Sequence, residues 1–310
     1  MDLIQKQITN EFKSKQHLTS HVKEDLINSG LGYLADKYIE LLKNHVESMD
    51  YSYVTQSGER TEWTTKKERH QELLKMDLED LAWSVIAVTT TEPVQSYTAC
   101  VGKLKGMFKN ETVRQDIEQA SECVALVKQI GLVDIILPRD TEEGVIMVHS
   151  KVNYDGELGA YLKEVKHILP SVIKPKPVLS NKDSGYQTFG SSVILAGKYH
   201  DKHVPLDHIN RVNSVALCIN PKAIEIEPVF DEKYGESPAD RLKRYDNWCK
   251  TNRESVKVYA DLIKSGNRFH LTYKYCERLR TYAHGHHVNT QGDSYRKSVL
   301  ELADKQIVRM

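Results

Sequence analysis

The stretch RLRTYAHGHHVNTQGDSYRKSVLELA, residues 278–303, decides the fold expected near the carboxyl end of the chain. It closes a longer segment, residues 269–286, in which apolar and polar side chains alternate as they do in a β-strand. The letters NTQGDS then predict a tight turn. A helix follows the turn, with Asp293 or Ser294 as its N-cap. A strand, a turn and a helix are therefore expected in succession.

The strand predicted over residues 269–286 has two chemically different sides. Arg278 and Arg280 point the same way on such a strand, about 7 Å apart, which is near the spacing of successive phosphates. An edge strand with solvated arginines fits the pattern equally well. Besides the two arginines, the polar side carries His270, Thr272, Lys274, Cys276, Tyr282, His284 and His286.

Lys297 adds a further cation to this region. Together with Arg296 it falls in the first turn of the predicted helix, where positive charge opposes the helix dipole. We therefore expect an anionic partner there.

Two groups of residues resemble metal ligands by type but not by spacing. The histidines at 284, 286 and 287 have no carboxylate or cysteine at a matching distance along the chain. Asp77, Glu79 and Asp80 begin an apolar helical run, and carboxylates favour a helix N-terminus. We expect no metal site in this chain.

The composition is that of a soluble globular protein, with 310 residues, 40% hydrophobic and 28% charged. There is no apolar run of membrane-spanning length and no signal peptide, so a cytosolic location without membrane contact is expected. The five separated cysteines suggest neither a disulfide framework nor a zinc site. Net charge is zero, yet residues 241–300 hold thirteen Lys or Arg against five Asp or Glu, which predicts a local basic surface.

The periodicities predict an α+β fold that is mainly α-helical. Residues 1–165 form a helical N-terminal domain with a β-hairpin over 133–149, where VDIIL and VIMVH flank the acidic PRDTEEG. Residues 166–222 form an extended Pro- and Gly-rich connector, a strand at SSVILAG and a helix from PLDHINRV to KAIE. A long helix begins at Ser237-Pro238 and ends at Gly266.

The carboxyl-terminal segment, residues 271–303, resembles the opening of the palm in single-subunit DNA-directed RNA polymerases of bacteriophages and mitochondria. That family carries Asp-x-Arg-Gly-Arg-x-Tyr, then Asn-x-Gln-Gly, a Lys five residues later and Leu-x-Leu-Ala. The matching positions here are Arg278, Arg280, Tyr282, Asn289, Gln291, Gly292, Lys297, Leu300, Leu302 and Ala303. The resemblance implies that Arg278, Arg280, Tyr282 and Lys297 contact template DNA and the RNA–DNA hybrid.

A looser similarity lies upstream, at the family's Pro-Pro-x-Pro-Trp and Gly-Tyr. Pro175, Pro177, Gly185 and Tyr186 stand at the matching positions. On this resemblance residues 223–267 are a reduced thumb and 268–310 the start of the palm. Lys174 and Lys176, beside the prolines, are candidates for template phosphate, and a solvated loop is an equal alternative. Cys276, Leu279 and Val178 depart from the family's Asp, Gly and Trp.

On this resemblance the chain is either a fragment or one part of an enzyme divided between two polypeptides, and we expect the divided enzyme. The family's catalytic aspartates, which hold two Mg²⁺ ions, lie beyond the palm segment matched here, so we expect a partner chain to supply them. The chain then resembles the N-terminal subunit of a heterodimeric bacteriophage RNA polymerase, acting in the cytoplasm of an infected bacterium and inactive alone. Because the 133–149 hairpin has an acidic tip, we expect weak duplex opening and assistance from a promoter-opening or single-stranded-DNA-binding protein. The alternatives are a non-enzymatic DNA-binding or transcription-accessory protein and a helical interaction scaffold.

Overall fold

The protein is α+β and mainly helical, as predicted. The computed structural model describes residues 2–137, 139, 144–164, 167–195, 200–226, 228–231, 233–276 and 278–305. The chain divides into two compact units, and residues 18–164 form unit 2 while residues 1–17 and 165–310 form unit 1. None of the helices in the described ranges is long and apolar enough to cross a membrane.

Unit 1 contains the first helix and the carboxyl-terminal half of the chain. Its helices are α1 (Leu3–Phe12), α9 (Leu206–Asn213), α10 (Pro221–Ile224), α11 (Pro238–Lys264) and α12 (Ser294–Ser298). Its strands are β6 (Leu217–Ile219), β7 (Tyr273–Cys276), β8 (Arg280–Ala283) and β9 (Leu300–Leu302). The strands form two antiparallel pairs, β6 with β9 and β7 with β8.

Unit 2 is a helical layer with two small sheets. Its helices are α2 (Leu18–Asn28), α3 (Tyr33–Glu47), α4 (Thr64–Leu74), α5 (Leu78–Thr90), α6 (Tyr97–Leu104), α7 (Val113–Val127) and α8 (Gly156–Glu164). Its strands are β1 (Ser52–Val54), β2 (Arg60–Glu62), β3 (Val94–Ser96), β4 (Val133–Ile136) and β5 (Met147–Ser150). Eight of the thirteen α5 residues are buried, so this helix forms the centre of the unit 2 core.

The N-terminal bound of the predicted 1–165 domain differs in the structure. The first seventeen residues pack in unit 1, so the helical domain begins at residue 18. Buried Glu11 on α1 accepts hydrogen bonds from the backbone amides of Gln187 and Thr188 at 2.8–3.1 Å. Buried Gln7, one turn earlier, donates to Glu11 and accepts from the Val172 amide at 2.9 Å. These contacts join α1 to the connector. Because polar side chains make them, the apolar spacing of the helix does not predict them.

Helix termini in unit 2 follow the local signals. Asp77 caps α5 by accepting from the Glu79 and Asp80 amides, which confirms the structural interpretation of this acidic cluster. Gly30, with a φ of 74°, separates α2 from α3. The helical periodicity of residues 22–49 therefore belongs to two helices rather than one.

The predicted hairpin over 133–149 is present as the antiparallel pair of β4 and β5, with Ile136 opposite Met147. A third strand that the sequence did not predict, β3, pairs with the other edge of β5. The acidic tip falls mostly on residues 138 and 140–143, which lie outside the described residues.

The long helix α11 begins and ends where the sequence predicts. The Ser237 hydroxyl accepts from the Asp240 amide, Pro238 occupies the first turn, and Gly266 follows the last turn with a φ of 99°. Buried residues on this helix start only at Ser255. About the first 17 residues therefore project without packing against the core, in the region that the resemblance assigns to a reduced thumb.

Two other predictions in unit 1 were wrong. The helix expected from PLDHINRV to KAIE is broken, because residues 217–219 form β6, which pairs with β9. Asn267 stabilises this strand by exchanging two hydrogen bonds with the Ile219 backbone, at 2.8 and 2.9 Å. At SSVILAG no strand forms within the described residues 191–195, although Ile194 makes an isolated bridge to Tyr275.

Candidate nucleic-acid interface

The segment 269–286 is a β-hairpin rather than the single strand predicted from its alternation. β7 runs to Cys276, the chain reverses, and β8 returns from Arg280, which stands opposite Cys276. Leu279 lies in the turn with a φ of 59°, and its amide donates to the Cys276 carbonyl at 2.9 Å. The reversal places Arg278 in the turn, so the expected spacing of two arginines along one strand does not apply.

The hairpin nevertheless brings three of the predicted contact residues together: Arg278, Arg280 and Tyr282. The register places Arg280 and Tyr282 on the same face, opposite Cys276 and Lys274. Arg278 reaches this face from the turn, because its guanidinium interacts with Cys276 and with Tyr282, and both contacts raise the pKa of Arg278. Arg278 and Arg280 are exposed, and neither forms an ion pair with a carboxylate within the described parts of the chain.

The cationic face is shorter than predicted. His270 and Thr272 are buried, since His270 bridges to Ser171 and the Thr272 hydroxyl donates to buried Tyr186. Lys274 donates to the Ser191 hydroxyl at 2.9 Å, and burial lowers the pKa of its ammonium group. The exposed cations of the predicted row are therefore confined to the tip of the hairpin.

A buried network joins the hairpin to the connector. The Tyr186 hydroxyl accepts from Thr272 Oγ1 at 2.6 Å and bonds to His284 Nδ1 at 2.5 Å. Burial raises the pKa of Tyr186 and, aided by nearby Lys274, lowers that of His284 to about 4. A Cβ on Gly185 would lie 3.0 Å from Thr272 Cγ2, so glycine permits this close packing.

The Asn289-x-Gln291-Gly292 segment forms the turn that holds the outer edge of β8. Gln291 accepts from the Ala283 amide and donates to the Thr281 carbonyl, at 3.2 and 2.7 Å. Asn289 Nδ2 donates to the Ala283 carbonyl, and Asn289 Oδ1 accepts from the Gln291 amide. These amides position the hairpin through its backbone.

Lys297 lies on α12, which is only five residues long. Asp293 caps this helix as predicted, accepting from the Arg296 amide at 2.8 Å, and its carboxylate also lies 3.7 Å from Arg296 Nε. Asp293 thus supplies negative charge at the N-terminus, and the expectation that these cations require an outside anion was wrong for Arg296. Lys297 is exposed, with no ion pair among the described residues.

The two connector lysines differ in their availability. Lys176 is bound within the connector, because its Nζ donates to the Gln187 carbonyl at 2.9 Å and its amide to the Gly185 carbonyl at 3.0 Å. Lys174 is exposed. Of the two, Lys174 is the one whose side chain is open to a ligand.

The three histidines of residues 284–287 have separate contacts. His284 belongs to the Tyr186 network, His286 stacks on His167 with ring centroids 3.9 Å apart, and His287 Nδ1 bonds to Ser255 Oγ at 3.0 Å. Within the described residues they do not bring three metal-ligating atoms together.

No protein-family model matches the sequence, and no curated protein is similar to it.

Proposed function

We propose that this chain is a subunit of a DNA-directed RNA polymerase that holds template DNA and the RNA–DNA hybrid. A partner chain supplies the catalytic aspartates and Mg²⁺, and this chain alone is inactive. The observation that carries the proposal is the face formed by exposed Arg278 and Arg280 and half-buried Tyr282, whose arginines have no carboxylate partner in the described residues. Arginines placed in this way suit phosphate oxygens, the main contacts of an A-form hybrid.

The conformation at Leu279 supports the resemblance on which the proposal rests. This position corresponds to the glycine of the family's Arg-Gly-Arg, and its φ of 59° is one that glycine adopts without strain. Three other residues of the family's motifs also have a structural role here. Asn289 and Gln291 bond to the β8 backbone, and Gly185 permits close packing against Thr272. Seven other arginines in the described ranges have a carboxylate within 4 Å: Arg60, Arg69, Arg114, Arg211, Arg244, Arg268 and Arg296.

The first test measures binding of the full chain to a short RNA–DNA hybrid by fluorescence anisotropy across a salt series. Arg280→Ala is expected to weaken binding several-fold and to reduce the slope of log K against log[salt] by about 1, the loss of one phosphate contact. Arg211→Ala is the matched control, since Arg211 is exposed but paired with Asp207 on α9. Equal binding by Arg280→Ala and the unchanged chain would refute the assigned role.

The second test separates the enzyme from its alternatives. The chain is co-expressed with the partner gene, and RNA synthesis is measured on single-stranded template. Unchanged synthesis with Arg280→Ala means that the polymerase role of this residue is wrong. Tighter binding to duplex DNA than to hybrid, without stimulated synthesis, favours the non-enzymatic DNA-binding protein. Absence of salt-dependent binding to any nucleic acid favours the helical scaffold.

A further inference from the structure

Three helices of unit 2 bring together two histidines and a carboxylate that no other part of the proposed function uses. His45 lies on α3, His70 on α4 and Glu122 on α7, and one ligand atom from each lies within 4.8 Å of the others. The rings of His45 and His70 have centroids 5.9 Å apart. His45 and His70 are 25 positions apart in sequence, and His70 and Glu122 are 52 positions apart. This spacing matches no short metal-binding motif.

Both ring nitrogens of His70 have a polar partner. Nδ1 lies 2.9 Å from the Tyr51 hydroxyl, which also lies 3.2 Å from the Val46 carbonyl. Nε2 lies only 2.6 Å from Glu122 Oε2. Either a proton or a metal ion can join these two atoms.

His45 supplies a third donor that favours the metal ion. Its Nε2 atom is buried and has no hydrogen-bond partner among the described residues. An unpaired buried nitrogen costs free energy, and coordination would remove that cost.

The surroundings of Glu122 provide orientation and access. Its Oε1 oxygen accepts from Arg69 at 2.8 Å and lies 3.6 Å from Lys66 Nζ, so Oε2 is directed at His70. Partners of this kind fix ligand geometry in metal sites. Glu122 also lines an open cleft of about 730 Å³ between the N-terminal ends of α4 and α7. Through this cleft Glu122 is accessible to an ion from solvent.

We propose that His45, His70 and Glu122 bind one divalent transition-metal ion, with Zn²⁺ as the best-suited species. Two imidazole nitrogens and one carboxylate oxygen form a ligand set that Zn²⁺ accepts, with water in the fourth position. The ion takes the place of the proton between His70 Nε2 and Glu122 Oε2, so this proton is released and no redox step occurs. With bonds of about 2.0 to 2.2 Å to zinc, the ligand atoms settle roughly 3.3 Å apart. The bound ion joins α3, α4 and α7.

The experiment is a titration of the EDTA-treated, dialysed full chain with ZnCl₂ at pH 7 by isothermal calorimetry. Thermal unfolding is measured in parallel, and Co²⁺ is added separately to record visible absorption. One ion per chain, a raised melting temperature and the Co²⁺ d–d bands of a nitrogen- and oxygen-ligated site are expected. His45→Gln removes a ligand and is expected to abolish all three signals. Tyr51→Phe removes the orienting hydroxyl and is expected to weaken binding about 10-fold.

Control variants keep the proposal open to refutation. His149→Gln changes a histidine of unit 2 outside the cluster, and His286→Gln changes the stacked pair in unit 1; both should bind Zn²⁺ like the unchanged chain. Loss of binding in His286→Gln but not in His45→Gln would overturn the site. Absence of stoichiometric binding by a chain with a normal melting curve would show that a proton alone joins His70 to Glu122. None of these results depends on nucleic-acid binding.

Discussion

Replacing Leu279 with glycine is expected to stabilise the β7–β8 hairpin. Leu279 has a φ of 59°, and its side chain is 81% exposed. A left-handed conformation costs an ordinary L-residue about 1 to 2 kcal/mol. Glycine avoids this cost. Its greater conformational entropy, however, stabilises the unfolded chain by about 0.5 to 1 kcal/mol. Because little apolar area is lost, the free energy of unfolding should rise by about 0.5 to 1 kcal/mol.

Thermal unfolding of the full chain measures this change in unit 1, where it corresponds to a rise in melting temperature of about 2 °C. Hydrogen exchange of the β8 amides reports on the hairpin itself. Leu279→Ala is the matched control, because alanine removes the exposed side chain but keeps the left-handed penalty. If the glycine and alanine variants melt together and exchange at the same rate, the turn is not strained and the reasoning fails.

Two further predictions concern unit 1. Glu11→Ala is expected to lower the free energy of unfolding by about 4 kcal/mol, because four donors lose their acceptor at about 1 kcal/mol each: the Gln187 and Thr188 amides, the Thr188 hydroxyl and Gln7 Nε2. Urea unfolding that matches the exposed-site control Gln5→Ala would contradict this. Burial lowers the pKa values of His284 and His287 to about 4, so the unfolded chain binds more protons as pH falls from about 6.5 to 4. Stability should fall across that window, by at most about 3 kcal/mol for His284 and by less for His287, which solvent screens more. The fall should be less steep in His284→Gln, as measured by denaturation at each pH; equal slopes in both proteins would refute the assignment.

Local signals in the sequence predicted the parts of the fold that local physics determines. Ser237, Pro238 and Gly266 bound α11, Asp293 caps α12, and the change to β-branched residues after Gly131 marks β4 and β5. Caps and hairpins are made by residues close together in the chain. Helix caps and hairpins can therefore be predicted from the sequence without knowledge of the tertiary packing.

Long-range contacts explain what the sequence did not reveal. α1 belongs to unit 1 through Gln7 and Glu11, whose partners lie more than 160 residues away. Residues 217–219 have apolar spacing compatible with a helix, but β9 provides a partner and they form a strand. The residues of the candidate interface were predicted from their types, but their arrangement was predicted wrongly as a single strand. The alternation of apolar and polar residues continues through the turn at Leu279, and this turn lacks the usual glycine.

Two features coincide at the tip of the β7–β8 hairpin. Leu279 adopts a left-handed conformation, and Arg278 and Arg280 on either side of it are exposed without a carboxylate partner in the described residues. The conformation of Leu279 lowers stability, and neither feature contributes to a hydrophobic core. Strain of this kind tends to persist at ligand sites, where the surrounding structure enforces it. A polyanion that contacts both guanidinium groups supplies the acceptors that the described residues do not. Leu279→Gly should therefore strengthen the fold and leave hybrid binding intact, whereas Arg280→Ala should weaken binding with little effect on stability.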